Sequence, residues 1–287
     1  MQIIELPKIL LHKIIKSFQS LWLDIILPPF LIICRHHSLL YQTTLNEVRS
    51  RYAGSALGFL WLIIYPLLFL LTYAIVYLFI FKIRFPELSS YEYIIMIFCG
   101  LIPFLGFSEG LSLGVVSVVA NSNLIKNTLF PIELVPVKSV LVGQATQISA
   151  TGILIIALGF IGKLSFYSPL FIVVWICQIL LTQGFVWILS SLNVYLRDIQ
   201  NIVPIAIMLL MMLSPIAYTE SMVPKDIQLF LSLNPLYYLI ISYRSVLMLG
   251  KLPSLQVILT MLALAIFLFI SGFFFFLRMK QLFSDHI

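Results

Sequence analysis

Long apolar runs alternate along this chain with short polar ones, and most of the runs are of membrane-crossing length. The first extends from Phe59 to Phe81 without a charge, about 34 Å of helix at about 1.5 Å per residue. The next covers about 93–116 and encloses Pro103 and one acid, Glu109. A polar, Asn-rich stretch, NSNLIKNTLFPIELVPVK, separates it from runs at about 140–161 and 169–194. A shorter run at about 202–217 carries Pro204, and the last covers about 255–277. The pattern predicts an all-α integral membrane protein with six transmembrane helices.

Two segments depart from it. Residues 218–254 hold two apolar pieces, IQLFLSL and PLYYLIISYRSVLML, on either side of Asn234-Pro235. Neither comfortably spans, and the second contains Arg244. Short apolar helices joined at Asn-Pro read as an external re-entrant hairpin between helices 5 and 6, with an extra pair of crossings as the alternative. Near the start, Lys8, His12, Lys16 and Gln19 face away from Leu11, Ile14, Ile15, Phe18 and Trp22. That is the pattern of an N-terminal interfacial amphipathic helix, or of a helix packed on another part of the protein. The following IILPPFLIIC is too short and too Pro-broken to cross by itself. No cleavable signal peptide is evident.

Composition sharpens this picture. With 61% hydrophobic and 10% charged residues and a mean hydropathy of +1.10, a soluble domain of this length could not hide its apolar surface. The net charge of +6 comes from scattered Lys and Arg, so nucleic-acid binding is not expected. With six spans both termini share one side. Basic residues gather there, among them Lys126, Lys138, Arg197, Arg278 and Lys280, and the positive-inside rule makes it the cytoplasm. Cys34, Cys99 and Cys177 are far apart, without a CxxC, and read as ordinary apolar residues with no metal or disulfide framework.

Little of the chemistry needed for catalysis is present. Glu109 is the one clear ionisable group inside a span, and a snorkelling or capping acid is its simplest reading. His12, His36, His37 and His286 lie outside the spans, so neither a proton relay nor a metal site forms. Gly162-Lys163-Leu164 and Gly250-Lys251-Leu252 lack the GxxxxGK[ST] pattern of a phosphate loop. The chain is therefore not expected to be an enzyme or to hold a cofactor, and any energy for transport must come from a partner.

The first span has a second periodicity. Trp61, Tyr65, Phe69, Tyr73, Tyr77 and Phe81 recur at every fourth residue. Sugars stack their C–H faces on such rings and hydrogen-bond to phenols, so a row of them suits a polymer. Tyrosine hydroxyls in mid-bilayer also need partners, which a wet channel supplies. Each rung drifts by about 40°, so the six rings wind about 200° and cannot all face one path. Tyr65, Phe69, Tyr73 and Tyr77 are the channel candidates, with Trp61 and Phe81 as interfacial anchors. The competing reading is ordinary packing between helices.

NEVRSRYAGSALGFLWLIIYPLLFLLTYAIVYLFIF resembles the opening of the permeases of type-2 ABC exporters, those that export polysaccharides. It carries a basic-aromatic pair, Arg51-Tyr52, then Ser55-Ala56-Leu57-Gly58, Trp61 and Pro66. FCGLIPFLGFSEG followed by NSNLIKNTLFP, YLRDIQNIVPIAIMLLMMLSPIAY and NPLYYLIISYRSVL match further landmarks in order. The resemblance covers residues 41–287 as one transmembrane domain and leaves 1–40 as an N-terminal extension. It implies a half-transporter that pairs with a second copy of itself above two ATP-binding subunits, which hold the ATP and Mg. It also implies a lipid-linked polysaccharide (O-antigen, capsule or teichoic acid) passing between the two copies in the bacterial inner membrane. An exporter of this kind must couple to its ATPase. Asn121, Asn123, Lys126, Pro131, Arg197 and Asp198 are the expected contacts. Arg49, Arg51 and Tyr52 would form an interfacial helix against lipid phosphates or the ATPase. Asn234, Pro235, Tyr243 and Arg244 would form an outer gate, with Arg244 at the outer headgroups, in a wet vestibule, or held to a backbone carbonyl. A permease for small hydrophobic drugs or lipids, and a membrane assembly protein without transport, are the rival readings.

Overall fold

The computed structural model describes residues 26–82, 89–122, 130–219 and 222–283. The predicted amphipathic helix before Ile26 lies outside them. Among the described residues the chain is helical throughout, with no strand.

The first two helices precede the long ones. Helix α1 (Leu27–Arg35) starts on Pro28 and Pro29; the missing N–H groups cost nothing in a first turn, where the donors have no helical partner. Its Phe30 ring lies 4.8 Å from Phe269. Helix α2 (His37–Tyr52) is polar, buries Leu40 and Val48, and ends on Arg49 and Arg51, cations favoured by the negative end of the helix dipole.

Among the described residues, five helices are long and apolar enough to cross a membrane: Gly58–Ile80, Ser90–Val115, Leu134–Phe160, Ser168–Tyr195 and Leu255–Lys280. Their α-helical bodies are α3 (Trp61–Ile75), α4 (Ser90–Val115), α6 (Leu134–Phe160), α7 (Phe171–Tyr195) and α11 (Leu255–Lys280). A short α5 (Ser117–Ala120) follows α4. The expected fifth span is a shorter apolar helix, α8 (Ile199–Leu213), because the chain leaves helical geometry at Ser214, before Pro215. Residue 214, preceding a proline, is sterically biased to extended backbone. Helix α6 begins six residues earlier than the apolar run predicts. Pro136 falls in its first turn, where a missing donor is tolerated, and Lys138 is buried against Glu47 at 2.8 Å.

Helix α4 is the centre of the bundle, with 78% of its most apolar stretch buried, against 17% for the first span. It packs on α6, α7, α8 and the later short helix Pro235–Tyr243. Small residues bring backbones together, as expected where dispersion rather than hydrophobicity drives helix association. A Cβ on Gly143 of α6 would stand 2.6 Å from the Gly110 nitrogen of α4. A Cβ on Gly184 of α7 would collide with the Leu268 carbonyl of α11, and one on Gly272 with the Gly184 carbonyl.

Pro66 shows how a break is repaired. Without an N–H it leaves the Leu62 carbonyl lacking its usual helical donor, and the Ser149 hydroxyl of α6 donates to that carbonyl instead.

Between α8 and α11 lie two short helices, α9 (Lys225–Leu233) and α10 (Pro235–Tyr243), the second running into a π turn at Arg244–Met248. They meet at Asn234, whose side chain accepts from Leu236 N at 3.0 Å and caps α10. Helix α10 buries Leu236, Leu239, Ile240 and Tyr243 against α4, α7 and α11.

Candidate functional site

The rings of the first span form a continuous stack. Centroid separations are 6.5 Å for Tyr65–Phe69, 4.9 Å for Phe69–Tyr73, 6.1 Å for Tyr73–Tyr77 and 5.6 Å for Tyr77–Phe81. The drift expected of a four-residue spacing is partly undone at the far end. Residues Val76–Ile80 form a π turn closed by Phe81 N to Val76 O at 2.9 Å. A π turn winds less per residue and swings the last rung back. Phe81 therefore belongs to the stack, whereas Trp61 instead donates to Ser55 Oγ at 3.0 Å.

The stack is not the face by which α3 is held. The fully buried positions are Pro66, Leu70 and Ala74, a stripe one residue on and so about 100° round the helix. Tyr65 is 51% exposed. Phe69, Tyr73 and Tyr77 are half-buried, and the Tyr73 hydroxyl meets Met211 Sδ of α8 at 3.3 Å. One flank of the row rests on the bundle and the other is open.

At the end of the bundle where α3 begins, charges are paired across helices. Arg51 Nη1 lies 2.7 Å from Glu109 Oε1, each side chain about a quarter exposed. Lys138 Nζ reaches Glu47 at 2.8 Å and Asn121 Oδ1 at 3.3 Å, and Lys280 reaches Glu133 at 2.6 Å. Glu109 is thus the counter-ion of Arg51, a role the snorkelling reading missed. Burial pushes the Tyr52 phenol up from its usual range, with the Glu109 carboxylate adding to the effect. Arg49 is exposed.

Of the expected coupling residues, Asn121 caps its own turn through Ser117 O at 2.8 Å, and Pro131 O accepts from Leu134 N at 3.0 Å at the start of α6. Asn123 and Lys126 lie outside the described residues. Arg197 and Asp198 are both exposed at the α7–α8 turn, and no ion pair joins them among the described residues.

The expected gate residues are mostly internal. Asn234 is buried and donates to Ser214 Oγ at 2.9 Å. Pro235 is the first residue of α10. Arg244 is buried, 8% exposed, and takes the backbone-carbonyl alternative of its expected partners. It donates to the carbonyls of Met96 (3.4 Å), Tyr218 (3.1 Å) and Ile216, holding the 216–218 segment to α4. Carbonyls here stand in for water around a buried guanidinium, which cannot shed its charge. Tyr243 is fully buried, donating to Gln178 Oε1 and accepting from Gln147 Nε2, both at 3.1 Å. Gln178 in turn donates to Pro103 O at 2.9 Å and Gln147 Oε1 at 2.7 Å. This cluster pins the hairpin to α4, α6 and α7. The polar stripe Gln144, Gln147, Thr151 on an otherwise apolar run was its signal in the sequence.

These features define a polytopic helical membrane protein with a half-open aromatic row, a charge-paired end and a polar interior that braces helices. The chain belongs to the ABC-2 type transporter family, whose model matches residues 39–248. It is 30% identical over 239 residues to an O-antigen export system permease protein RfbA of Klebsiella pneumoniae, covering 80% of this chain and 90% of that one. It is 26% identical over 237 residues to the RfbA of the same description from Myxococcus xanthus, covering 82% and 89%. The polysialic acid transport protein KpsM of Escherichia coli is 27% identical over 210 residues, covering 72% and 80%.

Proposed function

We propose that this chain is the membrane permease of an ATP-driven exporter of lipid-linked polysaccharide in the bacterial inner membrane. Two copies enclose the path and two separate ATP-binding subunits supply the energy. The observation that carries this reading is the offset between the two stripes of α3: Pro66, Leu70 and Ala74 do the packing, while Tyr65 to Phe81 form a ring stack left open along one flank. Rings in lipid would need no such continuity, whereas a sliding polymer gains many similar, weak contacts from it. The names of the relatives point to the same class of cargo.

In this reading α8 is a sixth crossing completed by non-helical residues. The Tyr93 hydroxyl donates to Ala217 O at 3.1 Å, so the segment after α8 reaches the end of the bundle at which α4 begins. The basic end faces the cytoplasm, and the α9–α10 hairpin lies on the outer side. Asn121, Pro131, Arg197 and Asp198 present the surface on which the ATPase seats.

The test is export per assembled complex in Tyr65→Leu, Phe69→Leu, Tyr73→Leu and Tyr77→Leu. Each single change should slow export modestly, by about two- to fivefold for loss of about 0.5–1 kcal/mol of ring contact. Tyr73→Leu with Tyr77→Leu should cost more, and Tyr→Phe less than Tyr→Leu. If export falls only in proportion to the amount of folded complex, the row is packing and the channel role is lost.

A further inference from the structure

On the end of the bundle opposite the Arg51–Glu109 pair, α10, the 249–254 linker and the start of α11 line a half-open cavity of about 600 Å³. Its place is fixed by two contacts: Ser165 Oγ donates to Gly250 O at 3.4 Å, and nearby Lys163 pairs with Glu92 of α4's first turn at 2.6 Å. The volume falls within the range of small-molecule sites, roughly 300–1,000 Å³.

The lining sets rings and polar side chains among apolar ones such as Ile241, Leu249 and Val257. Tyr237 and Tyr238 meet edge to face at 5.1 Å and present ring faces at two angles. Ser245, Ser254 and Gln256 add hydroxyls and an amide, and Lys251 adds a cation. Lys138, Lys163 and Lys280 each meet a glutamate within 2.8 Å. Lys251 meets no carboxylate at that range among the described residues. Rings for C–H faces, short polar side chains for hydroxyls and one uncompensated ammonium form the complement of a sugar, preferably an acidic one.

We propose that this cavity is a saccharide subsite on the outer face, holding one or two sugar units of the emerging polymer between α10 and α11. It rests on the export reading and extends it, because the site lies at the far end of the bundle from the ring stack's beginning. A chain gripped here is hindered from slipping back between cycles.

The experiment uses the full chain in lipid nanodiscs. Cys34 is exposed while Cys99 and Cys177 are buried, so a Cys34→Ser background is clean. Leu252→Cys, at a cavity position that is 54% exposed, is labelled with an impermeant maleimide. The probe is the polysaccharide exported by the expressing strain, freed of its lipid by mild acid. Saturating probe should slow labelling at least threefold. Tyr237→Leu and Lys251→Gln should remove that protection, and Tyr237→Phe should keep it. An unchanged labelling rate with probe would overturn the proposal. So would protection that follows the anionic lipid content of the nanodisc instead, which would mark a headgroup site. Export by the unmodified chain in the same strain separates the two readings. Polysaccharide exported without protection sinks the subsite only; no polysaccharide exported sinks both.

Discussion

The Arg51–Glu109 pair joins the polar α2 to the most buried helix of the molecule. Its members are about a quarter exposed, so the pair should contribute more than the ~0.2–1 kcal/mol typical of exposed ion pairs, because removing one partner strands a partly desolvated charge. Glu109→Gln should lower stability by about 1–2 kcal/mol on that reasoning, read as a drop in thermal unfolding temperature in detergent. The exchange of both residues, Arg51→Glu with Glu109→Arg, should recover most of it; single variants melting with the unmodified chain would show that the contact carries no weight. Such pairings were illegible in the sequence. Glu109 stood out as the lone acid of a span, but Arg51 lies 58 positions away and nothing local connects them. Which of its expected partners Arg244 takes was illegible for the same reason. Its partners are backbone carbonyls, and those leave no mark in a pattern of side chains. The aromatic row was legible because its four-residue spacing is itself the geometry.

For the elements, hydrophobic length located the five long helices to within a few residues at most ends. It failed at α8 and at the start of α6, where a proline and a buried lysine respectively moved the boundary. Helix contacts depend instead on residues with no side chain to read. Gly184→Ala puts a methyl group into the Leu268 carbonyl, and because the obstacle is backbone it cannot swing aside. The cost should reach about 3 kcal/mol or more, the upper end for overpacking. Gly152 has nothing within 4 Å of where a Cβ would sit, so Gly152→Ala should be neutral or slightly stabilising by improved helix propensity. Comparing the melting temperatures and yields of these two variants isolates the contact from the propensity, and equal behaviour would refute the close approach of α7 and α11.

Across the whole molecule, the proposed orientation makes a prediction for each end of the bundle. A cysteine at Leu249, 53% exposed beside the hairpin, should react with an impermeant thiol reagent added outside cells, while one at Gln281, exposed after α11, should react only once the membrane is opened. The reverse pattern would invert the orientation proposed here. The backbone contact of α7 with α11 also sets which parts can move. Two helices whose carbonyls occupy each other's missing methyl positions cannot roll or slide past one another without collision, so they behave as one rigid strut. Helix α4, enclosed on most sides, has little more freedom. Helices α3 and α8 are held less closely: both are largely exposed, each carries an internal proline, and they touch through Tyr73 and Met211. If the chain exports polysaccharide as proposed, a passage that widens for a bulky chain and closes behind it would do so by tilting these two helices against a frame that stays still.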